Sequence, residues 1–439
     1  DFDSNPDLLT DYPVDEEFAP RPLNGSGEPR VIANIIIYIV FQDENTAPLE
    51  ANPARPYLED NDPSLADYFY KASDGGIEVV NFYPQNGSNV YVYEAPYDRE
   101  YYNVKQSQTT TRGRKESQLL TAAVNAAAGR FNFGGVDIDT NDDGYVDSVT
   151  FLISGASSTD WGGLLWPHSW NLASINKTYN NPNEAKIGDI LVGNYSFNFV
   201  SSIDVGVLSH EFFHVLGAPD LYHYDYDFVP VGDWDIMQFN KPTPQLPLTY
   251  MRTQYLGVSQ SRVGTVTGNG VYSLTPTVTA SPAARLAYKI PSNVSGQYFM
   301  VEYRSNSAYP TYDRELPDSG LIVYRIKEGV QDGNKNARHQ NPSYPDEVYV
   351  FRPKLPDNDY RVAGKNLYDR SKVEIAYAAM SPNNSLFSSV GATLEAKPNS
   401  RYDYGTLFYV DGKNSGISIE TLSVTDSRIE FRVSLNSAN

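Results

Sequence analysis

The sequence predicts an α+β chain. A mixed, twisted sheet with helices is expected over residues 31–260, followed by an all-β, sandwich-like part over 261–439. Three observations predict this. Residues 31–41 (VIANIIIYIVF) are nearly all apolar and β-branched, as suits a strand buried on both faces of a central sheet. Residues 113–130 and the stretch from Val205 to Leu216 space their apolar positions at helical period. Beyond about residue 260 the chain breaks into short alternating segments separated by turn signals, the pattern of stacked antiparallel sheets.

In chain order, residues 1–30 are rich in Asp, Pro and Gly and read as an extended entry segment. Residues 64–73 (SLADYFYKAS) read as a helix capped by Ser64 and ended by Asp74-Gly75-Gly76. Residues 77–83 and 90–94 alternate as strands, residues 113–130 are an alanine-rich helix, and residues 146–154 are the next core strand. Residues 190–200 supply a strand or a pair of strands, and residues 246–256 a helix. The later strands are expected at 263–278, 285–290, 298–304, 320–326, 347–351, 373–377, 407–410, 417–423 and 428–433.

Composition bounds the function. The net charge of -20 argues against a nucleic-acid partner and against an anionic membrane surface. There is no cysteine, so disulfides, thiolate metal sites and a cysteine-based latency device are excluded. No apolar run reaches the ~18 residues a membrane helix needs. The chain opens on Asp1 rather than methionine, so a leader removed or left off is expected. A monomer is the expected state.

The stretch His210-Glu211-Phe212-Phe213-His214 carries the chemistry. Two histidines four apart on a helix share one face and can ligate one zinc ion, with the glutamate beside the first as general base. Gly217 stands where a helix ends in a left-handed residue, and Pro219 stiffens the return. That return brings Asp220 within reach as third ligand, with His223 and Asp225 next in line. A glutamate from a later helix would be a distant donor, since none occurs between Glu211 and Glu302. Met237, shortly after the third ligand, is what a Met-turn beneath the metal looks like.

Two further features bear on metal and substrate. Asp139, Asn141, Asp143, Gly144, Tyr145 and Asp147 follow the first nine positions of an oxygen-donor calcium loop, with Tyr145 offering its carbonyl. Position twelve is Thr150 rather than glutamate, so an intact EF-hand is excluded. Residues 161–170 (WGGLLWPHSW) hold three tryptophans and His168, which is either a substrate-polarising residue or a packed histidine.

Taken together, IIIYIVF, SLADYFYKASDGGIEVVNFYP, DTNDDGYVD, WPH, HEFFHVLGAPDLY, GDWDIM, VEYRSN and LPDSGLIVYRI resemble the M6 peptidases, the immune-inhibitor-A-like zinc metalloproteases, over most of residues 31–330. The resemblance implies a metzincin-like fold and a bacterial endopeptidase that is secreted or held at the cell surface or in the periplasm. It implies that His210, His214 and Asp220 hold zinc, that Glu211 is the base and that Met237 is the Met-turn residue. Its substrate would be protein or peptide. A protease fold that has lost activity and binds a glycan or protein through its β part is the alternative.

Two positions depart from the family. Phe239 stands where some metzincins carry an oxyanion-stabilising tyrosine, and phenylalanine cannot donate a hydrogen bond. His168, His223 or a nearby tyrosine would then serve. Phe213 replaces the glycine common before the second histidine, and its ring is expected to narrow the site.

Overall fold

The computed structural model describes residues 29–224, 229–316, 319–338, 342–351 and 407–435, with short strand pairs at 361–362, 365–366 and 393–394. The entry segment expected before residue 29, Asp225, and the strand expected at 373–377 lie outside the described residues. The protein is a mixed α/β chain that divides into two compact units, residues 1–217 and 218–439.

The first unit is built on β1 (Arg30–Val40), whose residues are buried almost throughout. With it pair β2 (Ile77–Phe82), β3 (Val92–Glu94) and β4 (Ser148–Ile153), all parallel. Next come β5 (His168–Asn171) and β6 (Asn194–Phe199). The order is β2-β1-β4-β6-β5, with β3 also on β1. β6 runs parallel to β4, and β5 closes the sheet antiparallel to β6. Parallel strands need helical crossovers, supplied here by α1 (Leu65–Ala72) between β1 and β2 and α2 (Thr109–Ala127) between β3 and β4; α3 (Leu172–Thr178) joins the antiparallel β5 and β6, and α4 (Val205–Val215) follows β6.

The odd-numbered residues of β1 (Ile35, Ile37, Ile39) share a core with Leu119, Leu120, Ala123 and Val124 of α2. The other face carries a buried polar stripe. Asn34 Oδ1 accepts from Ser148 and Thr150, Asn34 Nδ2 donates to Asn81, and Ser196 donates to Thr150. These bonds satisfy groups that burial would otherwise penalise by roughly 1–3 kcal/mol each.

Two elements differ from the sequence reading. Helix α2 starts at Thr109, ahead of the expected 113, and runs through Gly113. A Cβ at Gly113 would lie 2.0 Å from the Tyr179 ring, so close packing places a glycine inside a helix. The 263–278 segment forms two separate strands, Val263–Thr265 and Gly270–Leu274, which enter different sheets.

In the second unit a helix, α5 (Thr249–Tyr255), precedes the sheets. Strands β7 (Val263–Thr265), β9 (Ala287–Ile290), β10 (Gln297–Arg304), β11 (Gly320–Lys327) and β12 (Val348–Val350) form one sheet in that order. β8 (Gly270–Leu274), β14 (Arg428–Leu435), β13 (Ile417–Thr425) and the pair Thr393–Leu394 form another. Phe299, Val301, Leu321 and Val323 of the first sheet and Ile419, Ile429, Phe431 and Val433 of the second share one apolar cluster.

Candidate metal centre

Helix α4 begins where Asp204, in extended conformation, accepts the Val207 N–H at 2.8 Å, an N-cap that satisfies an orphan donor. Leu208, Phe212 and Phe213 are buried, and α1 packs against them: the Phe69 ring lies 5.0 Å from that of Phe212 and 6.0 Å from that of Phe213. Phe213 is thus part of the packing between α1 and α4. The helix ends as its sequence requires. Gly217 takes φ 94, and its N–H bonds the His214 carbonyl.

On this helix the His210 and His214 rings stand 4.9 Å apart and nearly perpendicular. The chain then turns back within a few residues. One ligand atom from each of His210, His214 and Asp220 lies within 4.8 Å of the others. Among the described residues this is the one such group of three His, Asp or Glu side chains. His210 and Asp220 are buried and His214 is half-buried. Glu211, also buried, sits on the same helix beside the first histidine. Two imidazoles and a carboxylate are a donor set that suits zinc and leaves a fourth position for water or substrate.

The Asp220 carboxylate is anchored. Tyr224 donates its hydroxyl to Asp220 Oδ2 at 2.5 Å. Burial first, then the Asp220 charge, pushes the Tyr224 hydroxyl well above its ordinary range, so it keeps the proton it donates. Met237 is fully buried, and its carbonyl accepts the Leu221 N–H at 2.9 Å. Its own N–H bonds Asp235 Oδ1, while Leu248 N–H bonds Asp235 Oδ2. Burial raises the Asp235 carboxyl to about 7 against the pull of those two bonds. The residue expected as a Met-turn is thus tied to the chain directly after the third ligand. Asp235 and Tyr224 escaped the sequence reading; Asp235 lies in the quoted GDWDIM, and nothing local marked Tyr224.

Other candidates are committed elsewhere. His168 Nε2 lies 2.6 Å from Glu116 Oε1 and Nδ1 lies 2.6 Å from the Trp166 carbonyl. Tyr195 also donates to Glu116. Burial works to raise Glu116, but the charges of His168 and Arg112 and the bonds from His168 and Tyr195 outweigh it and hold the carboxyl at about 2. His168 is held at the start of β5 by its contacts with Glu116 and the Trp166 carbonyl. His223 Nε2 meets Asp346 Oδ1 at 2.5 Å, both buried, and His223 is not in the group whose ligand atoms converge, which is His210, His214 and Asp220.

The acidic residues of the expected calcium loop are hydrogen-bonded within it and to the sheet. Asp139 accepts the N–H groups of Asp143 and Gly144, and Asp143 accepts Tyr145 N–H and the Asn141 amide. Asp147 accepts from Thr140 through one oxygen and from Ala33 N–H of β1 through the other. These carboxylates close a tight turn, with Gly144 at φ 83, and anchor it to the sheet.

Comparison with known proteins bears on this centre. Residues 59–243 match the immune inhibitor A peptidase M6 catalytic domain. The matched span contains α4, Asp220 and Met237, and a metallopeptidase needs the donor set found there. No curated protein matches the chain. Among solved structures, the chain is similar to wild type OgpA from Akkermansia muciniphila at 13% identity and a TM-score of 0.32, covering 76% of this chain and 90% of that one. It is similar to catalytically inactive OgpA from the same organism, in complex with an O-glycopeptide (glycodrosocin) substrate, at 12% identity and a TM-score of 0.28, covering 76% and 91%. Among the described residues no helix is long and apolar enough to cross a membrane.

Proposed function

We propose that this chain is a zinc-dependent endopeptidase acting on extracellular proteins or peptides, secreted or held outside the cytoplasm. The observation that carries the reading is the convergence of His210, His214 and Asp220 ligand atoms within 4.8 Å, with Glu211 on the same helix. The peptidase family matched over residues 59–243 supports it. His210, His214 and Asp220 would hold the metal. Zinc, when bound, supplies the Lewis acidity that makes water nucleophilic near neutral pH and polarises a peptide carbonyl. Glu211 accepts the proton that the attacking water gives up, then delivers it to the leaving amine.

The substrate backbone would add to β5, the antiparallel strand that ends the sheet, pairing main chain to main chain. The Glu116–His168 pair keeps that strand in place. We take the catalytic portion to be metzincin-like and to extend to about residue 260, because Met237 and Asp235 support the ligand turn. The two sheets beyond it we read as a sandwich-like domain, since they share one core. An inactive binding protein is not favoured, for it has no use for a complete donor set with a glutamate beside it.

Glu211→Gln is expected to keep one zinc per chain and to lose casein cleavage by at least a factor of about 100, the scale of a lost general base. Casein cleavage at the wild-type rate by that variant would overturn the mechanism.

A further inference from the structure

We infer that the turn at Gly333 and Asn334 is a clamp that positions Asp220 for metal binding, an inference that rests on the zinc reading above. The turn lies more than a hundred residues downstream of the ligand, yet it is bonded to it directly. The Asn334 N–H donates to the Asp220 carbonyl at 2.9 Å. The Asn334 side chain is fully buried, and its amide donates to the Leu221 carbonyl at 3.0 Å and the Val348 carbonyl at 2.8 Å. Its Oδ1 accepts the Val348 N–H at 3.2 Å. One residue on, the Lys335 carbonyl accepts the Tyr224 N–H at 3.1 Å. The ligand turn is thereby laced to β12 through a single asparagine.

Gly333 shows how closely the two turns approach. It sits at φ 62, and a Cβ there would stand 2.3 Å from the Asp220 carbonyl oxygen and 2.8 Å from Pro219 Cγ. No side chain fits without moving the Asp220 backbone. The buried His223–Asp346 pair grips the same turn from a further point, and Tyr224 fixes the carboxylate by its hydroxyl. Groups that support a metal ligand in this manner typically change metal affinity 10- to 100-fold when removed. Asn334, Gly333 and Tyr224 are positioning residues in this sense, and none of them needs to touch substrate.

The test compares zinc affinity of the full chain, measured by competition with a chromophoric chelator, for wild type, Gly333→Ala, Gly329→Ala and Tyr224→Phe. Gly329 is the control, since it too has a positive φ, 75, but nothing lies within 4 Å of its Cβ position. Both alanines carry backbone strain, and only Gly333→Ala displaces Asp220. The expected result is zinc affinity weaker by about 10-fold or more for Gly333→Ala and Tyr224→Phe, and within twofold of wild type for Gly329→Ala. Folded Gly333→Ala that binds zinc as tightly as wild type overturns the clamp. Should Gly333→Ala fail to fold, Tyr224→Phe decides, and an unchanged affinity there overturns it. Wild type that binds no stoichiometric zinc overturns the zinc reading itself, and the clamp with it. Wild type that binds zinc and cleaves casein, beside unaffected variants, overturns the clamp alone.

Discussion

Glu347 gives a prediction whose size can be worked from the structure. It lies just before β12, nearly all buried, and accepts the Tyr250 hydroxyl at 2.6 Å. Burial raises its carboxyl from 4.5 to about 7, opposed by that one hydrogen bond. The folded pKa is above the unfolded one, so the fold favours the protonated form. The associated stability is fully present below pH 4.5 and is lost as pH climbs through about 7. With those two values the loss is about 1 kcal/mol by pH 5 and about 3 kcal/mol by pH 7. Glu347→Gln keeps the shape and an acceptor for Tyr250 but cannot ionise. Urea unfolding of both proteins at the two pH values, followed by Trp234 fluorescence in the same unit, is the assay. The variant is expected to gain on wild type by about 2 kcal/mol between pH 5 and pH 7. A gap that does not change with pH would show that Glu347 ionises freely in the fold and would refute the reasoning.

Three further predictions follow from the site. Phe69→Ala empties a fully buried position against Phe212 and Phe213, so it should cost about 3–5 kcal/mol in urea unfolding, and a cost below about 1 kcal/mol would show the helix is held otherwise. Asp204→Ala removes the cap of α4 and should lower stability by about 1 kcal/mol, while Asp204→Asn, which still accepts, should lose little of that. Adding zinc to chain stripped of metal should raise its stability by about 2.7 kcal/mol at a hundredfold excess over Kd, whereas calcium should leave the melting curve in place. A calcium-induced rise would restore the ion to the 139–147 turn.

How far the sequence carried depended on how local each feature is. Helix α4 was legible in full because its cap (Asp204), its buried residues and its left-handed stop (Gly217) lie within one short stretch. Asp220 was legible for the same reason, since the return of the chain is fixed by Gly217 and Pro219. Strand β1 announced itself because burial on both faces leaves no polar period to read. His168 and His223 could not be read from their surroundings in sequence. Their partners, Glu116 and Asp346, are 52 and 123 residues away. Gly113 argued for a helix start and was instead a packing requirement of Tyr179, which no helical propensity encodes. The supports of the ligand turn, Asn334 above all, belong to the same class: a side chain whose meaning is set by backbone groups that arrive from elsewhere.

The acidic residues show what separates a metal ligand from its look-alikes. Spacing alone proposed both Asp220 and the Asp139–Asp147 set. In the second case the oxygens of Asp139 and Asp147 accept backbone N–H groups of the same turn, from Asp143, Gly144 and Thr140, or the Ala33 N–H of β1. Such a carboxylate stabilises the turn by its hydrogen bonds. Asp204 is spent in the same currency at a helix start. Asp220 differs in its partner. It is held through Oδ2 by a side-chain hydroxyl, and its backbone carbonyl, rather than its carboxylate, takes the Asn334 N–H. The turn is thus secured by the main chain, and the acid is oriented toward the two imidazoles. Hydrogen-bond partners, more than the count or spacing of acids, therefore set Asp220, the proposed ligand, apart from the turn-closing aspartates.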